Sequence, residues 1–492
     1  MICKFRGASP FLLWIFLGVV SSGQTSKNSI GAIALTLQQR DFGRAIELLR
    51  TALKQSPDNA ELWAMQGAAY AGEGKGPAAL ASFQKSLKFA PDYLPALHGA
   101  AQLEYDSGDA GAIPLIETIL RLQPADTTSH AMLAVLEYQN GHYALAAKHF
   151  EKSGTLFDSK VGGLEAYATC LVKLKQFDHA AEVFQRALNI EPNSSRERQL
   201  LAAIQLMAGK SAEALDTLAP LLEASSPEAT TLELASTAYE EGKDTSQAVD
   251  LLRRAIMLEP NNVGFYLDFA NISNAHGSFQ VGIDVINDGI ALQPAAAPLY
   301  FARGFLYVQL ARYEKAEADF EKAYELDPSQ TLSSAAQGMA AAQENDLNRG
   351  LTKVQASLAR KPNDPLLLYL QADILAERQP DPGTPEFHLA LRSAKRAVAL
   401  QPNLAAAHGV LAKLYLQAEN YRDAAAESRQ ALASNPKDQG ALYHLILSLR
   451  KAGNSSEIPD LLKRLAILRR QAAKEESDRY RYRLVEGGTA PR

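Results

Sequence analysis

The feature that most constrains this 492-residue chain is a beat of prolines. Pro57, Pro91, Pro124, Pro192, Pro227, Pro260, Pro294, Pro328, Pro362, Pro402 and Pro436 succeed one another mostly at steps of 33–35 residues. Two steps depart from the beat. Asp158 stands where a proline is expected between Pro124 and Pro192, and the Pro362–Pro402 step is 40 residues. A fixed period of this size signals one small unit copied into a stacked array, not a set of separate globular domains.

Inside each period the apolar pattern is that of two helices. In 297–330, Tyr300, Gly304 and Tyr307 fall on one face of a first helix, and Tyr313, Ala316, Phe320 and Ala323 on one face of a second. Steps of three and four put side chains above one another on a helix. Pro328 then stops the second helix, because proline lacks an amide hydrogen and disfavours helix at the residue before it. Trp63, Gly67, Tyr70, Ala79, Phe83 and Pro91 repeat the scheme, as do Leu164, Ala168, Leu171, Phe177, Ala180, Phe184, Ala187 and Pro192. Small residues such as Gly304 and Ala316 allow two helix backbones to approach, and aromatics such as Phe320 fill the gap toward the next unit. One such hairpin cannot bury its own apolar face, so its stability comes from its neighbours.

These residues resemble the tetratricopeptide repeat, a 34-residue helix-turn-helix unit. The resemblance extends over about residues 26–470, with units starting near 26, 60, 94, 127, 161, 195, 229, 263, 297, 331, 365, 405 and 439. It implies an all-α fold, a right-handed superhelical solenoid of about 13 units, with the first helices lining the concave side. The expected organisation is a leader over 1–23, a degenerate N-terminal repeat over 24–59, the solenoid over 60–470, and a polar capping helix and tail over 471–492. Pro114 and Pro459 should delay the starts of their second helices, Pro220 should kink the helix that holds it, and Gly282 and Gly350 replace the usual alanine. The insert Arg378–Pro385 should be a loop between the two helices of its unit.

The first 23 residues read as an address. Lys4 and Arg6 precede the apolar run Phe11–Val20, and Ser21, Ser22 and Gly23 are small enough for a peptidase site. Ten apolar residues make only ~15 Å of helix against a bilayer core of ~30 Å, so a cleaved secretory leader is expected rather than a spanning anchor. Without it one cysteine remains, Cys170, which cannot form an internal disulfide and reads as a small buried hydrophobe. The expected location is periplasmic or secreted.

The chemistry-bearing motifs are missing. No HExxH, GxSxG, phosphate-binding GxxxxGK[ST] or paired CxxC occurs. The nine histidines are scattered, so no metal site and no cofactor is expected. The formal net charge of −5 excludes a general nucleic-acid binder. Acidic residues such as Glu314, Glu317 and Glu321 alternate with Lys315 and Lys322, as on a solvated helix face. The expectation is a non-enzymatic scaffold.

What the resemblance offers is a surface. The inward positions of the first helices include Asn271, Asn274, Phe301, Phe305, Val308, Met339, Tyr369, Asp373 and Tyr443, with Tyr105, Tyr138 and Glu165 in earlier units. Such a face suits a peptide or protein segment, aromatic rings meeting its apolar side chains and carboxamides its backbone. The rival arrangement has Phe301 and Phe305 packing on the adjacent helix. Chaperone-binding members of the family clamp a terminal carboxylate with cations; here the matching faces carry Asp268 and Asn271, then Phe301, Ala302 and Phe305, so that role is not expected. The alternative occupant is a glycan chain, in polysaccharide export or envelope assembly.

Overall fold

The computed structural model describes residues 24–328, 347–454 and 456–479. They form 25 α-helices, and no strand occurs among them. The leader expected over 1–23 and the groove position Met339 lie outside the described residues.

The chain divides into two compact units at Leu221 and Leu222. Unit 1 holds the pairs α1–α2 (Gln24–Gln38, Phe42–Gln55), α3–α4 (Ala60–Gly72, Gly76–Phe89), α5–α6 (Leu94–Ser107, Ala112–Leu122), α7–α8 (Thr127–Gln139, Tyr143–Lys152), α9–α10 (Val161–Lys173, Phe177–Ile190) and α11–α12 (Ser195–Met207, Ser211–Leu222). Unit 2 holds α13–α14 (Ala229–Glu241, Thr245–Leu258), α15–α16 (Val263–Ala275, Phe279–Leu292), α17–α18 (Ala297–Gln309, Tyr313–Leu326), then α19 (Leu347–Arg360), α20–α21 (Pro365–Glu377, Pro385–Leu400), α22–α23 (Ala405–Gln417, Tyr421–Ser434) and α24–α25 (Gln439–Lys451, Ile458–Arg479). From α3 onward every described first helix begins at the residue where the proline beat starts a unit.

Local chemistry sets the boundaries. Side chains of Asn59, Asp126, Ser194, Asp364 and Asp438 accept backbone N–H bonds at the starts of first helices, which satisfies donors that a helix leaves open. Each hairpin turns through a left-handed residue, and the longer α20–α21 loop holds a second positive-φ residue, Gly383. In half of the turns the left-handed residue is Gly74, Gly108, Gly141, Gly209, Gly277 or Gly453; in the rest it is Arg40, Lys175, Lys243, Ala311, Gln379 or Glu419.

The packing follows the residue types. In unit 1 the Phe83 ring lies where a methyl group on Gly67 or on Gly99 would overlap it, so one aromatic of a second helix wedges between two successive first helices. In unit 2, Ala316 is fully buried, and a Cβ on Gly304 would come within 3.2 Å of its carbonyl oxygen. Gly282 is equally confined, by Ser273 and Leu306. Cys170 is fully buried in the unit 1 core, and burial pushes its thiol up to about 12, which leaves no thiolate at neutral pH.

The departures have local causes. The second helices α6 and α25 start at Ala112 and Ile458, with Pro114 and Pro459 in their first turns. Pro220 sits inside α12, which ends two residues later at Leu222. Around the missing proline at Asp158 the difference is larger. Helix α8 has 10 residues where α10 has 14; it stops because the Ser153 hydroxyl donates to the Phe150 carbonyl at 2.6 Å and Gly154 turns left-handed. Phe157 then folds back into the core, and Asp158 pairs with Arg186. The insert is a loop between α20 and α21, and it is tied down: Arg378 bonds Glu386 at 2.6 Å and Asn348 at 2.5 Å, and Gln417 reaches the Pro380 carbonyl at 2.6 Å. Helix α25 runs unbroken to Arg479, so no break marks residue 471.

Candidate functional site

Unit 2 contains a cleft of about 330 Å³ between the first helices α15 and α17. Its walls are two helical stripes of identical spacing. Leu267, Ala270, Asn271 and Asn274 line it from α15, and Pro298, Phe301, Ala302 and Phe305 from α17. Each set steps by three, one and three residues, which defines one helix face. The opposite faces are occupied: Phe265, Phe269 and Ile272 of α15 and Leu299 and Gly304 of α17 are buried in the packing between repeats, while the buried Leu306 of α17 also borders the cleft. The cleft is the remaining side of two helices that are apolar nearly all round.

Four of the positions expected on the groove meet here. Asn271 is exposed, Asn274 is half-buried, and Phe305 is 44% exposed. Phe301 is half-buried, with its ring 5.5 Å from that of Phe320. The rival arrangement therefore holds for Phe301 in part and not for Phe305. Val308 lies against the buried Ala316–Phe320 cluster and outside the cleft lining.

The other expected positions are dispersed. On α20, Tyr369 and Asp373 lie one turn apart, both half-buried; burial, with Asp373 and Asp438 nearby, pushes the phenol up to about 12. Burial and Glu377 also raise Asp373, while Lys413 opposes them. Tyr443 on α24 is 51% exposed. In unit 1, Tyr105 is a correction. It is buried in the core cluster with Ile116 and Leu133 and offers no groove surface. Tyr138 packs edge-on against Tyr143, and Glu165 pairs with Arg196.

Sequence reasoning missed a second feature beside the cleft. Glu233 of α13 and Asp268 of α15 are half-buried carboxyls on successive first helices, close enough for each to perturb the other. Burial, then Asp268 and Glu259, raise Glu233 to about 7. The expectation that acidic residues alternate with lysine and arginine fails here. Neither α13 nor α15 contains a lysine or arginine, and among the described residues no cation pairs with either carboxyl. That absence was readable in the sequence; the mutual influence of the two carboxyls was not. Among the described residues no three His, Cys, Asp or Glu side chains converge as metal ligands, and no helix is long and apolar enough to cross a membrane.

Comparison with known proteins supports the repeat reading. Residues 27–160 match the family described as the cytochrome c-type biogenesis protein H TPR domain. Residues 164–194 and 297–330 match one tetratricopeptide repeat family, and 410–473 another. Superkiller protein 3 of Schizosaccharomyces pombe is 30% identical over 127 residues, 24% of this chain and 9% of its own length. The chain thus spans under a tenth of that relative. Among solved structures, yeast Tom70 is similar at 18% identity, covering 92% of this chain and 95% of its own, with a TM-score of 0.46. A tetratricopeptide repeat protein from Parabacteroides merdae is similar at 18% identity, over 59% of this chain and 98% of its own, with a TM-score of 0.40.

Proposed function

This chain is a tetratricopeptide repeat protein, and we propose on that premise that it is an exported, non-enzymatic scaffold that holds an extended peptide segment of a protein partner across its first helices. Members of the family typically mediate protein–protein interactions. The observation that carries the reading is the α15–α17 cleft, where apolar walls and two carboxamides share one open face. An apolar side chain of the ligand enters between Phe301 and Phe305, and Asn271 and Asn274 bond its backbone, as carboxamides both donate and accept. The volume is at the lower end of the ~300–1,000 Å³ of ligand pockets, suited to one or two side chains of a longer segment. A glycan chain needs denser hydrogen bonding than two carboxamides supply. A role in assembling other proteins is supported by the likeness of residues 27–160 to a biogenesis protein's repeat domain, and export by the apolar run Phe11–Val20 followed by small residues.

The test is capture of partners from an envelope extract by the chain and by a Phe301→Ala/Phe305→Ala/Asn271→Ala variant. Loss of the captured proteins from the variant is expected. Recovery of the same proteins by both would remove the cleft from the function. N-terminal sequencing of the exported protein checks the leader, with Gln24 as the expected first residue.

A further inference from the structure

A cavity of about 160 Å³ lies in unit 1, at the place where α8 stops early. Its cause is local. The loop after Ser153 replaces the last turn of α8, and Phe157 of that loop enters the core over Gly163, where a Cβ would overlap its ring. Phe157 stands edge-on to Phe150 at 5.0 Å, and Phe150 stacks on Tyr167 at 5.4 Å. These three rings and Leu164, all buried, line the inner end of the cavity; Glu151, His179 and Arg186, all exposed, line its mouth. A cavity of ~150 Å³ takes a benzene ring.

The inner end holds a polar atom short of a good partner. Tyr167 is 7% exposed, and its phenol reaches one partner among the described residues, Nε2 of His179 at 3.5 Å, the outer limit of a hydrogen bond. A buried hydroxyl so weakly paired costs free energy that an acceptor oxygen of a ligand recovers. Burial, then Glu151, raises the phenol, so it keeps its proton and donates. At the mouth, Arg186 pairs with Asp158 through Nη2. A guanidinium has five N–H donors, so a second carboxylate can share it, as Glu165 and Glu197 share Arg196 one repeat later. Glu151 is exposed, so water and salt screen its repulsion.

We infer that this cavity binds a small carboxylate whose apolar body is the size of a benzene ring. The ring lies against Phe150, Phe157 and Leu164, and the carboxylate accepts from the Tyr167 phenol and the Arg186 guanidinium. The site belongs to unit 1 and does not depend on the peptide cleft of unit 2. A ligand there touches the loop after α8, α9 and α10 at once, so it stabilises unit 1 by binding only its folded form.

The experiment titrates the full chain with para-fluorobenzoate, para-fluorobenzyl alcohol and para-fluorobenzylamine, followed by fluorine NMR of the probe. Tyr167→Phe and Arg186→Gln are the variants, each first checked for folding by its thermal melt. The benzoate should bind with a Kd on the order of 1 mM, the scale for so few heavy atoms, and the alcohol and the amine about tenfold more weakly. Tyr167→Phe keeps the ring and should weaken the benzoate about tenfold, the scale of one hydrogen bond to a charge. Arg186→Gln, at an exposed position, should bring the benzoate down to the level of the alcohol. Saturating benzoate should raise the melting temperature of the unsubstituted chain more than that of Tyr167→Phe. Benzoate binding that survives both substitutions would place the ligand elsewhere and overturn the assignment. So would an amine that binds as tightly as the benzoate, or no benzoate binding up to about 10 mM, tenfold above the expected constant.

Discussion

The phenol of Tyr266 donates a hydrogen bond of 2.8 Å to the carbonyl of Pro260, six residues earlier. The same relationship recurs across the array with chemically different donors: Trp63 to Pro57 at 2.8 Å, His130 to Pro124 at 3.0 Å, Arg198 to Pro192 at 2.9 Å, Tyr300 to Pro294 at 3.0 Å and His408 to Pro402 at 2.9 Å. In each case the fourth residue of a first helix secures the carbonyl of the proline that ended the previous unit. Where that residue is Leu97, Leu164, Leu232, Leu368 or Leu442, it is buried and serves by packing alone. Tyr266→Phe keeps the packing and removes the bond. It should cost about 0.5–1.5 kcal/mol, read as a lower urea midpoint at unchanged slope. Tyr300→Phe, at a more exposed carbonyl, should cost less.

Ala311 turns the α17–α18 hairpin with φ +53°, in the place that Gly277 takes one repeat earlier with φ +65°. A left-handed conformation costs a residue with a Cβ roughly 1–2 kcal/mol, while glycine gives back part of this through its freer unfolded chain. Ala311→Gly should therefore raise stability by about 0.5–1 kcal/mol, and Gly277→Ala should lower it by a similar amount. Thermal melts of the two single variants check both signs.

These turns mark the boundary of what the sequence made legible. The starts of the first helices could be read because proline punctuates by covalent geometry, independent of tertiary context. The left-handed turn at Arg40, Lys175, Lys243, Ala311, Gln379 and Glu419 could not, because no residue type there announces it; neighbouring packing imposes it. The same distinction governs the site. Helical spacing identified the face that Asn271, Asn274, Phe301 and Phe305 share, since spacing reports one helix at a time. It could not tell that Tyr369 and Asp373 are half-buried and perturb each other, or that Glu233 and Asp268 do the same, because both depend on how side chains settle in three dimensions. Tyr105 was misplaced for a related reason: the spacing on one helix does not tell which of its faces the neighbouring helices cover.

Arg303 and Asp319 link α17 to α18 through two parallel bonds, Nε to Oδ2 at 2.8 Å and Nη2 to Oδ1 at 2.7 Å, with Asn287 taking a third at 2.7 Å. Asp319 is 6% exposed. Removing one partner of such a pair strands the other charge out of water, so Asp319→Ala should destabilise unit 2 by about 3–5 kcal/mol. Replacing both, as Arg303→Met/Asp319→Leu, should restore most of the loss, because shape is kept and no charge is left unpaired. Urea unfolding of the single and double variants measures the difference. Equal losses in both would mean that packing, not charge pairing, holds the hairpin.

The raised carboxyl of Glu233 makes stability depend on pH with a definite sign. Glu233 is raised to about 7 from an ordinary value of 4.5, so the folded chain keeps a proton that the unfolded chain releases. Its contribution is complete below about pH 4.5 and is lost as pH rises to about 7. Half-buried histidines act in the opposite direction. His98, His149 and His444 are pushed below 6.5 chiefly by burial, so their contribution is lost as pH falls below that value. The two effects overlap in the raw melting curve and separate in a difference. Glu233→Gln mimics the protonated acid, so it should melt with the unsubstituted chain near pH 4.5 and progressively above it up to pH 8. A constant difference across that range would mean that Glu233 holds no proton in the folded state.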